Sequence, residues 1–217
     1  MTFADGHDGL LAEQVAYYRA RAPEYDGGAL DLPGADEVIA ALHAFGPNGD
    51  VLELACGTGA WTRQLLRHAA ALHAVDASPE MIELAAHRVG SDPRVGFVVA
   101  NLFAWRPERR YDVVFFGFWI SHVPMERFAG FWDLVGECLA PGGRVFFADD
   151  AYRTDHELIE GPDSARIERR LEDGTPFRVV KVPHTAADLE RRLRELGWRV
   201  EVHETAGPFY WGAGTPV

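Results

Sequence analysis

VLELACGTGAWT, Val51 to Thr62, joins three local signals in one short stretch. Val51 to Ala55 is apolar apart from Glu53, the composition of a strand buried on both faces of a parallel sheet. Gly57-Thr58-Gly59 follows, and Trp61, Leu65, Leu66 and Ala69 then recur at helical spacing. The order is strand, glycine turn, helix. Glycine in such a turn lets the backbone approach a ligand, because no Cβ intervenes and φ > 0 is open to it. The helix start adds N–H groups that lack intrahelical partners. Two nucleotide-binding motifs share this outline, and neither is met. A dinucleotide fingerprint, G-x-G-x-x-G/A, needs a small residue where the chain has Thr62, and a P-loop needs a lysine, whereas the only lysine is the distant Lys181.

The stretch does match an acidic-x-x-x-G-x-G pattern, with Glu53, Gly57 and Gly59 in its places. By it the chain resembles the class I S-adenosylmethionine (AdoMet)-dependent methyltransferases of small-molecule type. That family usually has a glycine where this chain has Ala55, a departure that narrows the loop slightly. A further position agrees. In a βαβ unit that binds a ribose, a carboxylate about 20 residues past the first glycine closes the second strand and accepts hydrogen bonds from the sugar. Here ALHAVD ends at Asp76. Ser78-Pro79-Glu80 reads as a helix start, with serine at the N-cap, proline at N1 and an early acid. An ordinary α/β unit with an acid at a strand end is the plain alternative.

The resemblance implies a Rossmann-like, doubly wound sheet, mostly parallel, of seven strands with an antiparallel terminal hairpin strand. It implies AdoMet as cofactor, held by Glu53, Ala55, Gly57, Thr58, Gly59, Asp76 and Ala77, with Met81 against the adenine. Asn101 and Leu102 take the places that meet the adenine amino group, where asparagine can accept through its carbonyl oxygen. Phe116 and Phe118 flank the cofactor at the exit of the fourth strand. In YYRARAPEYD, Tyr25 stands where a tyrosine closes over the methionine end of AdoMet. Packing is the competing role: Met81 in the core, and Tyr17, Tyr18 and Tyr25 holding a helix onto the sheet.

Composition sets the outer limits. A chain of 217 residues, 47% apolar, can bury one substantial core, so 1–217 reads as a single domain. A net charge of -12 argues against nucleic acid or an anionic membrane as partner and suits a small neutral or cationic acceptor. Cys56 and Cys138 stand in apolar contexts and read as buried thiols. With no long apolar run, the expected location is the cytoplasm.

Along the chain, Met1 to Gly9 reads as disordered, and Leu11, Val15 and Tyr18 mark a helix that stops before Pro23. Val38, Ile39, Leu42 and Phe45 mark a second, so that 1–46 forms a helical cap. Val95 to Ala100 and Tyr111 to Phe116 read as the third and fourth strands. Phe128, Phe131, Trp132, Val135 and Leu139 form a helical stripe that Ala140-Pro141-Gly142-Gly143 breaks before the fifth strand, RVFFADD. Within an inserted cover over 151–184, Ile167 to Leu171 and Phe177 to Val182 flank the hairpin signal Asp173-Gly174. Thr185 caps a last helix with Leu189, Leu193 and Leu196 inward and Gly197 at its end, before two terminal strands.

Because a sulfonium methyl is already electrophilic, the chemistry asks mainly for alignment, with a base only where the acceptor must lose a proton. His122, in the turn after the fourth strand, is the first candidate base, against a purely structural role in that turn. His156, His184 and Tyr18 follow it. A metal would need a third carboxylate beside Asp149 and Asp150, and FFGFW supplies none. Phe116, Phe118, Trp119, Tyr152, Phe177, Phe209 and Tyr210 point to an aromatic or apolar small-molecule acceptor. A fold relative that binds AdoMet or a nucleotide without transferring methyl, as a partner subunit or for other chemistry, is the competing function.

Overall fold

The structure is a computed structural model and describes residues 4–25, 30 and 32–217. Along the chain run α1 (Ala4–Arg21), α2 (Ala35–Phe45), β1 (Gly49–Leu54), α3 (Ala60–Leu65), β2 (Ala69–Asp76), α4 (Pro79–Val89), β3 (Val95–Val99) and β4 (Tyr111–Gly117). Then come α5 (Met125–Cys138), β5 (Leu139–Asp150), β6 (Arg166–Arg170), β7 (Pro176–Val180), α6 (Ala186–Glu195), β8 (Trp198–Glu204) and β9 (Phe209–Pro216). Seven strands form one sheet in the order β3-β2-β1-β4-β5-β9-β8, with β9 antiparallel to both neighbours and β1 to β5 parallel. This is the expected Rossmann-like, doubly wound sheet.

The pleat assigns the two faces. Leu52 and Leu54 of β1 and Phe116 of β4 pack with α5 and α6 on one side. Val51 of β1 and Phe115 of β4 pack with α2 and α3 on the other. Reversal of strand order at β1 and β4 opens a crevice at their carboxyl ends, the place where such sheets bind ligands. The hairpin β6–β7 forms a second, two-stranded sheet, and α1 lies on it through Tyr17, packed with Ile167, Val179 and Phe177. Lys181 N–H donates to Ala165 and extends the hairpin by one pair, and Val182 N–H donates to Ser121, which ties the hairpin back to the turn after β4.

Four local expectations are corrected. Helix α1 begins at Ala4, so only Met1 to Phe3 of the segment read as disordered lie outside the described residues, as does Asp26 of the YYRARAPEYD motif. Docking on the hairpin outweighs the weak helix propensity of Gly6 and Gly9. Helix α5 stops at Cys138, and Leu139 pairs with Tyr111 as strand; Ala140 to Gly143 bulge out before Arg144 pairs with Val113. Leu196 is exposed, because the chain leaves the helix there and Gly197 takes a φ of 81°. The tyrosine-bearing helix packs on the hairpin and not on the main sheet.

Candidate active site

Above the strand ends lies a cavity of about 1110 Å³, with α1 and the hairpin forming its far wall. Its sheet-side wall starts with the turn after β1, where Ala55 and Gly57 both have a φ of 53° and Gly59 a φ of 76°. A Cβ added to Gly57 would meet nothing within 4 Å, so this position opens onto the cavity. One added to Gly59 would lie 3.0 Å from the Cα and Cβ of Ala85, so Gly59 allows α3 and α4 to approach each other and does not line the cavity. Ala55 holds the left-handed conformation that the resembled family gives to glycine, at a cost of about 1–2 kcal/mol. Such strain concentrates at ligand sites.

Asp76 ends β2 with its carboxylate fixed: Oδ2 accepts from Gly57 N–H at 2.8 Å and Oδ1 from Ser78 N–H at 2.9 Å. Burial raises its pKa, against those backbone donors. Each oxygen keeps a lone pair, and the side chain lines the cavity. Beside it are Ala77, Met81, Asn101 and Leu102, with Thr58 held by a 2.8 Å bond from Arg88. The carbonyl oxygen of Asn101 also accepts from Phe103 N–H at 3.0 Å, so it turns the chain as well as facing the cavity. Phe118 (φ 57°) and Tyr25 line the wall too. A carboxylate beside a Cβ-free turn, with a methionine and an asparagine further along, fits a ribose and a flat apolar base in that order.

Two more residues expected on the cofactor lie behind this wall. Phe116 is fully buried between Phe131, Trp132 and Phe147, because its position in β4 points toward α5. Glu53 is 1% exposed and accepts from Thr62 Oγ1 at 2.6 Å. Burial, with Asp76 nearby and against that hydrogen bond, pushes its pKa up to about 8. A carboxyl whose folded pKa exceeds its unfolded one stabilises below the unfolded value and loses that contribution as pH rises through the folded one. Glu53→Gln should therefore melt increasingly above the wild type, without ligand, as pH is raised from about 5 to about 9. Thermal melts across that range with a constant offset would refute the assignment.

The opposite half of the cavity is polar. Tyr18, His122, Asp150, Arg169 and Lys181 all line it. His122, 3% exposed, sets Nδ1 2.5 Å from the Val180 carbonyl and Nε2 3.0 Å from Tyr18 Oη. Burial first, then the charges of Lys181 and Arg169, hold its pKa well below the ordinary value, against the bond to Val180. Arg169 donates from Nε to Glu157 at 3.1 Å and from Nη1 toward Tyr18 at 3.4 Å; its Nη2 has no hydrogen-bond partner among the described residues. Lys181 reaches Asp150 at 3.0 Å, Ser121 at 3.1 Å and Asp149 at 3.3 Å. The two carboxylates weighed as metal ligands thus hold an ammonium between them.

His156 lines the cavity, but His184 packs away from it against Phe128, its pKa brought down to about 4 by burial. Of the aromatic residues expected around an acceptor, Phe118, Trp119, Tyr152 and Phe209 line the cavity, while Phe116, Phe177 and Tyr210 belong to packing clusters.

A methyltransferase-domain family model matches residues 51–143. The structure of DhpI in complex with SAH superposes with a TM-score of 0.84 at 42% identity, covering 96% of this chain and 98% of that one. The chain belongs to the AdoMet-dependent methyltransferases. The DhpI complex with SAM and HEP is similar to this methyltransferase to the same extent, at 41% identity. Malonyl-[acyl-carrier protein] O-methyltransferase 1 of Ilyobacter polytropus is 29% identical over 58% of the chain and 47% of its own length. Trans-aconitate 2-methyltransferase of Mycobacterium tuberculosis is 33% identical over 71% of the chain and 58% of its own length. The chain thus spans about half the length of the curated relatives it matches. No helix among the described residues is long and apolar enough to cross a membrane.

Sequence reasoning missed Gln14, Arg169 and Lys181 in this methyltransferase. Gln14 and Tyr18 share one face of α1 by their i, i+4 spacing, a readable signal. Arg169 and Lys181 reach the site only because the hairpin folds back across it, which no local pattern encodes.

Proposed function

We propose that this methyltransferase moves the methyl group of AdoMet onto an oxygen of a small acid that arrives already ionised. The carrying observation is the polar half of the cavity, where Arg169 Nη2 has no hydrogen-bond partner among the described residues and His122 has both ring nitrogens engaged. His122 Nδ1 faces a carbonyl, Nε2 faces a hydroxyl, and burial with two nearby cations disfavours its protonated form. General-base catalysis by His122 is therefore not part of this reading. An anionic oxygen needs no base.

In this reading Gly57, Thr58, Ala55, Asp76, Ala77, Met81, Asn101, Leu102, Phe118 and Tyr25 hold the cofactor, which supplies an activated methyl group. Glu53 supports the turn from behind through Thr62. Arg169 binds and orients the acceptor, while α1 and the hairpin exclude water and hold the reacting oxygen in line. The name of the mycobacterial relative describes a small acid acceptor, which supports the same class, and that of the Ilyobacter relative describes O-methylation of a malonyl group carried on a protein. Residues 1–217 act as one catalytic domain, and the net charge of -12 supports a partner that is not nucleic acid. Two buried unpaired thiols support a cytoplasmic setting.

Incubation with AdoMet and a panel of small acids, amines and phenols, read by mass spectrometry for gain of one methyl group, tests the proposal. Methyl esters of acids are expected; methylated amines or phenols with untouched acids would overturn it. With an acid in hand, Arg169→Met should raise its KM about 10- to 100-fold, the worth of one charge-assisted hydrogen bond, with AdoMet affinity unchanged.

A further inference from the structure

Tyr18 has its hydrogen committed. A carbonyl oxygen can only accept, so the 2.5 Å contact with Val180 requires that His122 carry its proton on Nδ1. Nε2 is then a bare acceptor, and the partner 3.0 Å away, Tyr18 Oη, must donate to it. The backbone that carries the ring is held as well. Gln14, four residues before Tyr18 on α1, donates to the His122 carbonyl at 3.3 Å and accepts from Val180 N–H at 3.0 Å, so one helix face grips both partners of the imidazole. The Tyr18 ring itself is fixed edge-on by Tyr17 and His122, at 5.0 and 5.6 Å.

With its hydrogen turned toward His122 and one lone pair accepting from Arg169 Nη1 at 3.4 Å, Tyr18 has only an acceptor lone pair left for a ligand in the cavity it lines. We propose that Tyr18 is a specificity-determining residue that requires the acceptor to carry a hydrogen-bond donor, such as a hydroxyl or a retained acid hydrogen, next to the anionic group met by Arg169, and that His122 is its positioning residue. An acceptor without that hydrogen sets one of its own lone pairs against the oxygen of Tyr18. The loss is then a repulsion as well as a missing bond, and sites built around a donor reject analogues that lack it. This deepens the reading of the cavity as an acid-acceptor site and rests on it.

Inorganic phosphate and sulfate are matched probes, equal in shape and nearly so in size, of which only phosphate keeps an O–H at neutral pH. Titrated into protein loaded with S-adenosylhomocysteine, phosphate should bind at least about tenfold more tightly than sulfate. Tyr18→Phe, which keeps the ring packing, should bring the two to within about twofold of each other. Nitrogen-15 spectra of the wild type should show His122 protonated on Nδ1 and bare on Nε2, with the Nε2 signal moving in Tyr18→Phe. Equal affinity, preference for sulfate, no saturable response to phosphate, or a proton on Nε2 overturns the inference. Failure of S-adenosylhomocysteine itself to bind would overturn the methyltransferase reading beneath it.

Discussion

Asp76→Ala should weaken AdoMet binding by about 2–4 kcal/mol, roughly 30- to 1000-fold, because charge-assisted hydrogen bonds contribute about 1.5–3 kcal/mol each and the two expected from the ribose share one carboxylate, so that their sum falls short of additive. The carboxylate is already desolvated and already aimed, with Gly57 and Ser78 N–H groups fixing one lone pair of each oxygen. Little ordering remains for the ligand to impose, so most of the interaction reaches the affinity. The same substitution leaves two backbone donors without an acceptor, so some stability is lost as well. Asp76→Asn separates the two effects: its carbonyl oxygen can keep one backbone donor while the charge is gone. Calorimetry with AdoMet, beside circular dichroism of each variant, is the measurement. A folded Asp76→Ala protein with wild-type affinity would remove Asp76 from the ribose.

Asp76 was legible in the sequence because its position depends on local facts alone, a strand of known direction ending about 20 residues past a glycine turn. The same locality sets Gly57, Asn101 and Met81 along the cavity wall. Where the reading failed, side-chain direction decided the matter. Glu53 and Phe116 belong to strands that reach the cavity, yet the pleat turns Phe116 into the α5 packing and leaves Glu53 beneath the turn, against Thr62. Phe118, two residues beyond Phe116, reaches the cavity because a φ of 57° there redirects the chain, and no propensity forecasts a positive φ at phenylalanine. His122 was found by its place in the turn, but its chemistry was set by Val180 and Tyr18, which are remote in sequence. Aromatic content suggested an apolar acceptor because composition counts residues without regard to which wall they build.

The lone lysine carries the other large effect. Lys181 is 1% exposed, and its ammonium meets Asp149 at 3.3 Å and Asp150 at 3.0 Å, so the cluster sets one positive charge against two carboxylates, one fully buried and one mostly so. Removing one partner of a buried pair leaves the others uncompensated, at about 3–5 kcal/mol. Lys181→Met keeps the length and apolar stem, so the loss should come from charge and not from a cavity, and should lower Tm by roughly 6–20 °C for a chain of this size. The pH dependence identifies the cause. Burial already raises the pKa of Asp150, the charge of Asp149 adds to it, and Lys181 opposes both. Without the ammonium, only the backbone hydrogen bond from Tyr152 N–H still opposes the rise. A carboxyl with a raised folded pKa loses stability as pH climbs, so the Tm deficit of Lys181→Met should be larger at about pH 8 than at about pH 5. Adding Asp149→Asn to the variant should recover part of it. A deficit that is independent of pH and unmoved by Asp149→Asn would mean that Lys181 acts through packing of its stem, not through its charge.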